Sequence, residues 1–350
     1  MSTPAIEIRL FAYQTASDDE FRRLNIFENL IRRERIPEDP VVSDEECIRW
    51  WRSKPASFVI EPWLAWNKAG EIVGKGFGVM FGVDSNQHLL QFDLEVHPDY
   101  RRQGIGKQLL GYIVDIAQRN NRTLLATGTT DRIPAGIMFM ERIGARKGLE
   151  GHTNQLLIAD LDRSLLEKWQ QRAQERASGF SLGLWTGPYP TDQLEEIAQL
   201  YNVMNTAPRD DLEMEDVRFT PPMLQEWDQN LLATNTERWT LYVRENATGK
   251  LAGFTVVFWH PDRPHILGQG DTGVFPEYRG LGLGRWLKAA MLEKVLRERP
   301  QVTVVRTGNA DSNAGMLQIN HELGFKPFMA ECFWQVERTQ VEAYLGQKEE

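Results

Sequence analysis

Cysteine is nearly absent from this chain: Cys47 and Cys332 are the only two in 350 residues. They lie far apart and without metal-ligand spacing, so neither a disulfide framework nor a metal site is indicated. Long apolar runs are missing too. No stretch approaches the ~18 consecutive apolar residues that a membrane-spanning helix needs. The opening MSTPAIEIRLF meets Glu7 and Arg9 before an apolar segment of signal-peptide length can form, so the expected location is cytoplasmic. Positive charge is not in excess. Forty Lys and Arg stand against 49 Asp and Glu, a formal net charge of −9, which argues against general binding to nucleic-acid phosphates. Low-complexity tracts are absent. What is there is an ordinary soluble composition, 41% hydrophobic and 25% charged, at a length that favours two domains.

The chain says one thing twice. Asp93, Val96, Pro98, Tyr100, Arg101, Gly104 and Gly106 recur as Asp271, Val274, Pro276, Tyr278, Arg279, Gly282 and Gly284, each 178 positions on. Seven matches at one offset, about half the chain length, point to a duplicated domain. Each half follows one plan: helices, strands, a glycine-rich turn, a helix, a strand, and a helix ending at Gly. In the first half, 17–35 and 43–53 are expected helices, with strands at 58–66, 72–83 and 89–96 before the turn and 123–127 after it. In the second, 192–205 and 223–234 are expected helices. Strands are expected at 239–245, 251–259 and 302–307, and a helix over 313–323 with Gly324 just past its end. Residues 161–178 form a Gln- and Arg-rich stretch carrying Leu165, Leu166 and Trp169. The expected division is therefore 1–160, a linker helix over 161–179, and 180–350.

A glycine-rich turn between strand and helix gathers unpaired backbone N–H groups at the positive end of the helix dipole. That arrangement binds phosphate, and glycine keeps side chains out of the way. Two common nucleotide loops fail to fit. The Walker pattern needs a Ser or Thr after Gly-Lys, but Gly106-Lys107-Gln108 and Gly284-Arg285-Trp286 lack that hydroxyl. The dinucleotide fingerprint needs glycines at positions 1, 3 and 6, whereas Gly280, Gly282 and Gly284 stand at 1, 3 and 5, late in the domain.

Arg-x-x-Gly-x-Gly after a Val-x-Pro strand end resembles the acyl-CoA pyrophosphate loop of the GCN5-related N-acetyltransferase (GNAT) superfamily. The likeness covers most of each half and is strongest over 90–145 and 268–326. It implies an α/β fold of two tandem GNAT-like domains. Each would be a central, mostly antiparallel mixed sheet with flanking helices and a splayed strand pair that takes acyl-CoA. It implies acetyl-CoA, or another acyl-CoA, as co-substrate. In the second half Arg279, Gly280, Leu281, Gly282, Leu283, Gly284 and Arg285 would form the pyrophosphate loop, with Val274 on the pantetheine. In the first half Arg101, Arg102, Gln103, Gly104, Ile105, Gly106, Lys107 and Val96 would do the same. Ordinary tight βα turns use glycine as well; the doubling in register is what favours the ligand-binding reading.

In the family, the next helix carries an Asn and, four residues before a Gly-Phe pair, a Tyr that protonates the leaving thiolate. Asn313 holds the first place and Gly324-Phe325 closes the pattern, but Asn320 stands where Tyr is usual. In the first half these places fall on Ile133 and Met140, before Gly144-Ala145. The second domain is therefore the expected catalytic one, with Asn313 either on the cofactor arm or capping its helix. No replacement for the Tyr is evident. Tyr278 and Tyr100 fit packing better than chemistry.

An amine nucleophile must lose a proton, and Asp271, on the strand leading to the loop, is the candidate base. A plain strand-end carboxylate is the competing reading. His260 and His265 suit capping better than catalysis, and Trp227 and Trp259 suit the core. Asp210, Asp211 and Glu213 lie in an acidic loop after the second half's first helix, which in the GNAT fold borders the acceptor cleft. They would attract a small cationic amine, or be merely solvated. The expected activity is acetyl transfer to such an amine. Alternatives are an acyl-CoA sensor without turnover and a protein lysine acetyltransferase. Expected partners are the small-molecule acceptor, no nucleic acid and no membrane, in a monomer or homodimer.

Overall fold

The computed structural model describes residues 6–55, 57–81 and 85–347. The chain divides into two compact units, and they are not its two contiguous halves. The first comprises residues 1–150, 209–215 and 331–350; the second comprises 151–208 and 216–330.

In the first unit, β1 (Glu7–Leu10), β2 (Phe58–Trp66), β3 (Ile72–Phe81) and β4 (Leu89–Val96) pair antiparallel in that order. Helices α1 (Asp18–Arg35) and α2 (Asp44–Arg52) intervene after β1, begun by Ser17 and Ser43. Each serine side chain accepts an N–H of its helix's first turn, and Glu20 closes a capping box on Ser17. After β4 come α3 (Ile105–Arg119), β5 (Leu124–Thr130) and α4 (Pro134–Arg142). Strand β4 pairs parallel with β5 only over Leu89–Gln91, although both strands run on. They therefore splay.

The second unit repeats this order. It takes in the end of β6 (Arg146–Leu157), then α5 (Arg163–Arg176), β7 (Phe180–Thr186), α6 (Leu194–Tyr201) and α7 (Pro221–Ala233). β8 (Glu237–Glu245), β9 (Leu251–Trp259) and β10 (Ile266–Val274) follow. Then come α8 (Leu283–Glu298), β11 (Val304–Ala310), α9 (Ala314–Glu322) and the start of β12 (Lys326–Glu337). Strands β7 to β10 pair antiparallel, and β10 pairs parallel with β11 only over Ile266–Gly268 before the two diverge.

The last strand of each sheet comes from the other half of the sequence. Gly151–Leu157 of β6 closes the second unit on β11. Glu331–Glu337 of β12 closes the first on β5, followed by α10 (Arg338–Gly346). Trp334, Val336 and Val341 are buried among Leu110, Leu125 and Met140. A boundary over 161–179 at the expected linker therefore does not describe this packing: α5 buries Leu166 and Trp169 within the second unit's core. Among the described residues no helix is long and apolar enough to cross a membrane.

Candidate active site

In the second unit a cavity of about 760 Å³ runs along the glycine loop. It is lined by residues 272–274 at the end of β10, by the first turn of α8, and by residues 312–316 leading into α9. Gly280 and Gly282 hold φ of 83° and 85°, left-handed values that suit glycine. A Cβ on either would stand in open space, with no atom within 4 Å. The loop thus keeps a cradle clear in front of the N–H groups of the first helical turn, which have no intrahelical acceptor. Gly284 serves packing, since a Cβ there would touch Ile319 and Val274. Val274, Leu281, Leu283 and Asn313 line the same cavity. Arg279 also lines it; its Nε donates to the Val274 carbonyl and its Nη2 to the Thr206 hydroxyl (2.7 Å), both uncharged partners. Arg285 is paired with Glu322 at 2.7 Å. Helix α5 contributes Arg172 and Arg176. A mere linker reading overlooked them, although with Trp169 and Ala173 they recur at helical spacing on one face.

The first unit has the same loop with Arg101 and Lys107 engaged by protein partners. Gly104 holds φ 82° and caps α3 as Gly282 caps α8. Arg101 makes the equivalent bond to the Val96 carbonyl, but both terminal nitrogens go to the Glu34 carboxylate at 2.7 and 2.5 Å. Lys107 donates to the Gln347 carbonyl, and Gln103 to the Asp99 carbonyl. Arg102, with φ 62°, takes the place of Gly280. Ile105 is buried and Gly106 packs on Leu94 and Val96.

Asp271 falls at the irregularity of β10 between Gln269 and Thr272. Its side chain reaches solvent, yet the protein around it restricts hydration enough to raise its carboxyl above the usual value. Asp93 is pushed up to about 6, by burial and then by Glu95, with Lys75 opposing. Lys75 in turn is held between Glu28 (2.7 Å) and Glu95 (3.0 Å). Asn313 accepts the Met316 N–H at 3.3 Å and so caps α9. Tyr278 packs edge-on against Phe180, and His260 bonds to the Thr234 carbonyl and the Asp262 N–H. Trp227 lies against Tyr201, and Trp259 donates to the Pro264 carbonyl.

The acidic loop is elsewhere. Arg209–Glu215 belongs to the first unit. There Arg146 pairs with Glu213 and donates to the Asp211 carbonyl. The Glu213 N–H reaches Gln335, and Glu215 exchanges hydrogen bonds with Asn86. Asp210, Asp211 and Glu213 are not among the residues lining the second unit's cavity. Adjacency in sequence suggested otherwise, but long-range hydrogen bonds draw the loop across.

Paired splayed strands, each followed by a glycine turn that exposes a helix N-terminus, define an acyl-CoA-type transferase fold. The profile of the Acetyltransferase (GNAT) family matches residues 24–144 and 194–325. That is more than half of the chain, and the protein belongs to this family. The chain is similar to a tandem GNAT protein from the clavulanic acid biosynthesis pathway, at TM-score 0.75 and 24% identity, covering 95% of this chain and 99% of that one. It is also similar to a GCN5-related N-acetyltransferase from Sphaerobacter thermophilus, at TM-score 0.66 and 15% identity, covering 95% and 96%. Among curated proteins it resembles the L-amino acid N-acyltransferase MnaT of Escherichia coli (strain K12), 23% identical over 107 residues. That match spans 30% of this chain and 61% of the relative's length.

Proposed function

We propose that the protein transfers an acetyl group from acetyl-CoA to the nitrogen of a small amine, by direct attack on the thioester, in the second unit. The carrying observation is the cavity beside Gly282. It combines a clear cradle, the N–H groups of a helix's first turn and an Arg279 that, among the described residues, no carboxylate neutralises. These suit a diphosphate, whose charge Arg279 and the helix N-terminus would offset. In transfer, the amine nitrogen forms the C–N bond, the C–S bond breaks, nitrogen gives up a proton and sulfur gains one. Asp271, its carboxyl held above the usual range, is the proposed acceptor of that first proton, directly or through water.

The acceptor is an amine. With Glu213 paired to Arg146 and residues 209–215 seated in the first unit, Asp271 is the proposed attraction for a positive nitrogen. L-amino acids belong in the first panel, because the curated relative's name specifies them. The first unit is proposed to be non-catalytic, its loop arginine being locked to Glu34. Calorimetry with acetyl-CoA, followed by thiol release across amines, tests the reading. Binding without release from any amine would favour an acyl-CoA sensor, and no binding would remove the proposal altogether.

A further inference from the structure

Asn320 stands where the phenol is missing, and it is not idle. It is buried, and its Oδ1 accepts a hydrogen bond of 2.8 Å from the equally buried Lys288 Nζ. Its Nδ2 donates to Asn309 Oδ1 at 2.7 Å. Asn309 Oδ1 also receives the Asn154 Nδ2 at 3.4 Å. Asn309 is partly buried and lies on β11 three residues past the last β10–β11 pairing, where the two strands have diverged.

The direction of this chain follows from chemistry. An ammonium only donates. Lys288 therefore fixes Asn320 with its oxygen toward α8 and its NH₂ toward Asn309. Asn309 must then turn its oxygen to Asn320 and Asn154, which leaves its own NH₂ committed to neither. The amide orientations, ordinarily ambiguous, are settled whenever Lys288 is protonated, because an ammonium has no acceptor.

The first unit supplies an internal control. Leu110 occupies the place of Lys288, and Met140 that of Asn320, packed together in one apolar cluster. Thr129, next to last in β5 as Asn309 is in β11, accepts the Trp334 indole N–H at 2.7 Å. The same framework thus closes with hydrocarbon. Burying an amine with no carboxylate partner is unfavourable, so packing does not account for Lys288 and Asn320.

We propose that Lys288 and Asn320 are positioning residues that aim the Asn309 amide into the gap between β10 and β11, where its N–H donates to the sulfur of the departing thiolate. This rests on the acyl-CoA reading above. No proton moves along the chain; the N–H holds the charge on sulfur, whose proton comes from solvent. Burial pushes the Lys288 amine down to about 7. Helices α5, α8 and α9 also carry Arg172, the Arg285–Glu322 pair and the Lys294–Glu298 pair, yet burial is the cause of the shift. Above that pH the neutral amine can accept as well as donate, and the orientation is no longer enforced.

The test is the ionisation of bound coenzyme A, read from the ultraviolet absorbance of its thiolate in a Gly104→Trp background. At pH 6.5 the wild-type second unit should hold a thiolate fraction roughly tenfold above that of Lys288→Leu/Asn320→Met, which reproduces the first unit's pair, with equal affinity for the ligand. Asn309→Leu should match the double variant at every pH. The wild-type advantage should shrink toward unity by pH 9, and where an amine acceptor is found, the ratio of kcat values should follow it. Equal thiolate fractions with coenzyme A bound would overturn this inference alone. Failure to bind coenzyme A would overturn the underlying reading with it.

Discussion

Arg102 and Gly280 hold the same left-handed backbone in the two loops, and only the glycine does so without strain. An L-residue there costs about 1–2 kcal/mol, so Arg102→Gly should raise the first unit's melting temperature by a few degrees in a thermal scan. Lys288 offers a sharper check. Its folded pKa is lowered to about 7, below the unfolded value of about 10.4. Between those values the unfolded chain binds the extra proton, so stability rises with pH across that window and the burial penalty is greatest below 7. Lys288→Leu should therefore stabilise most near pH 6, by some kcal/mol, and the gain should fade toward pH 10. Denaturant titrations at both pH values measure it. For Asp271, replacement by Asn should lower turnover on the order of 10²-fold or more. The wild-type rate should fall as the pH drops through a pKa above the ordinary carboxylate range. A pH–rate profile shared by both proteins would remove Asp271 from the chemistry.

Loops and helices differ in what they have left to offer a ligand. Gly282→Trp places an indole where nothing lies within 4 Å, and should abolish coenzyme A binding in the second unit and all transfer. Gly104→Trp should spare activity. The opposite pair of results would move catalysis to the first unit. In the first unit, Glu34→Gln releases Arg101 from a carboxylate at 2.5 Å. Hydrogen bonds to charged groups contribute about 1.5–3 kcal/mol, so affinity for coenzyme A there should improve by roughly tenfold, read by calorimetry in a Gly282→Trp background. Much of this was legible in the residues. Ser17 and Ser43 announce their helices, Gly324 ends α9 at φ 94°, and 89–96 and 251–259 are strands as expected. These rest on neighbours within a few positions. Strands β1, β6, β7 and β12 and helix α10 escaped the reading, because their burial is one-sided and their partners lie far along the chain.

This chain should not tolerate a cut between its two sequence halves, because each unit takes a strand from the other half. A fragment ending at residue 330 lacks Trp334, Val336 and Val341, all buried in the first unit. At about 1.5–3 kcal/mol for each fully buried large apolar side chain, their loss approaches the 5–15 kcal/mol that holds an ordinary domain folded. The fragment should keep its second unit while the first loses cooperative unfolding, which amide exchange would resolve segment by segment. Expressing 1–160 and 161–350 separately should give two poorly folded pieces that recover on mixing.

Residue order determined the duplication, the two glycine turns and the helix dipoles behind them, because left-handed turns and unpaired N–H groups are properties of a few consecutive residues. It also marked Asn320 as an oddity without saying what it served. Tertiary packing decided which loop keeps its arginine available, where the acidic segment docks, and which strand closes each sheet. Those outcomes hinge on Glu34, Arg146 and Trp334 meeting partners 67, 67 and 205 positions away, and no local pattern carries a contact of that span.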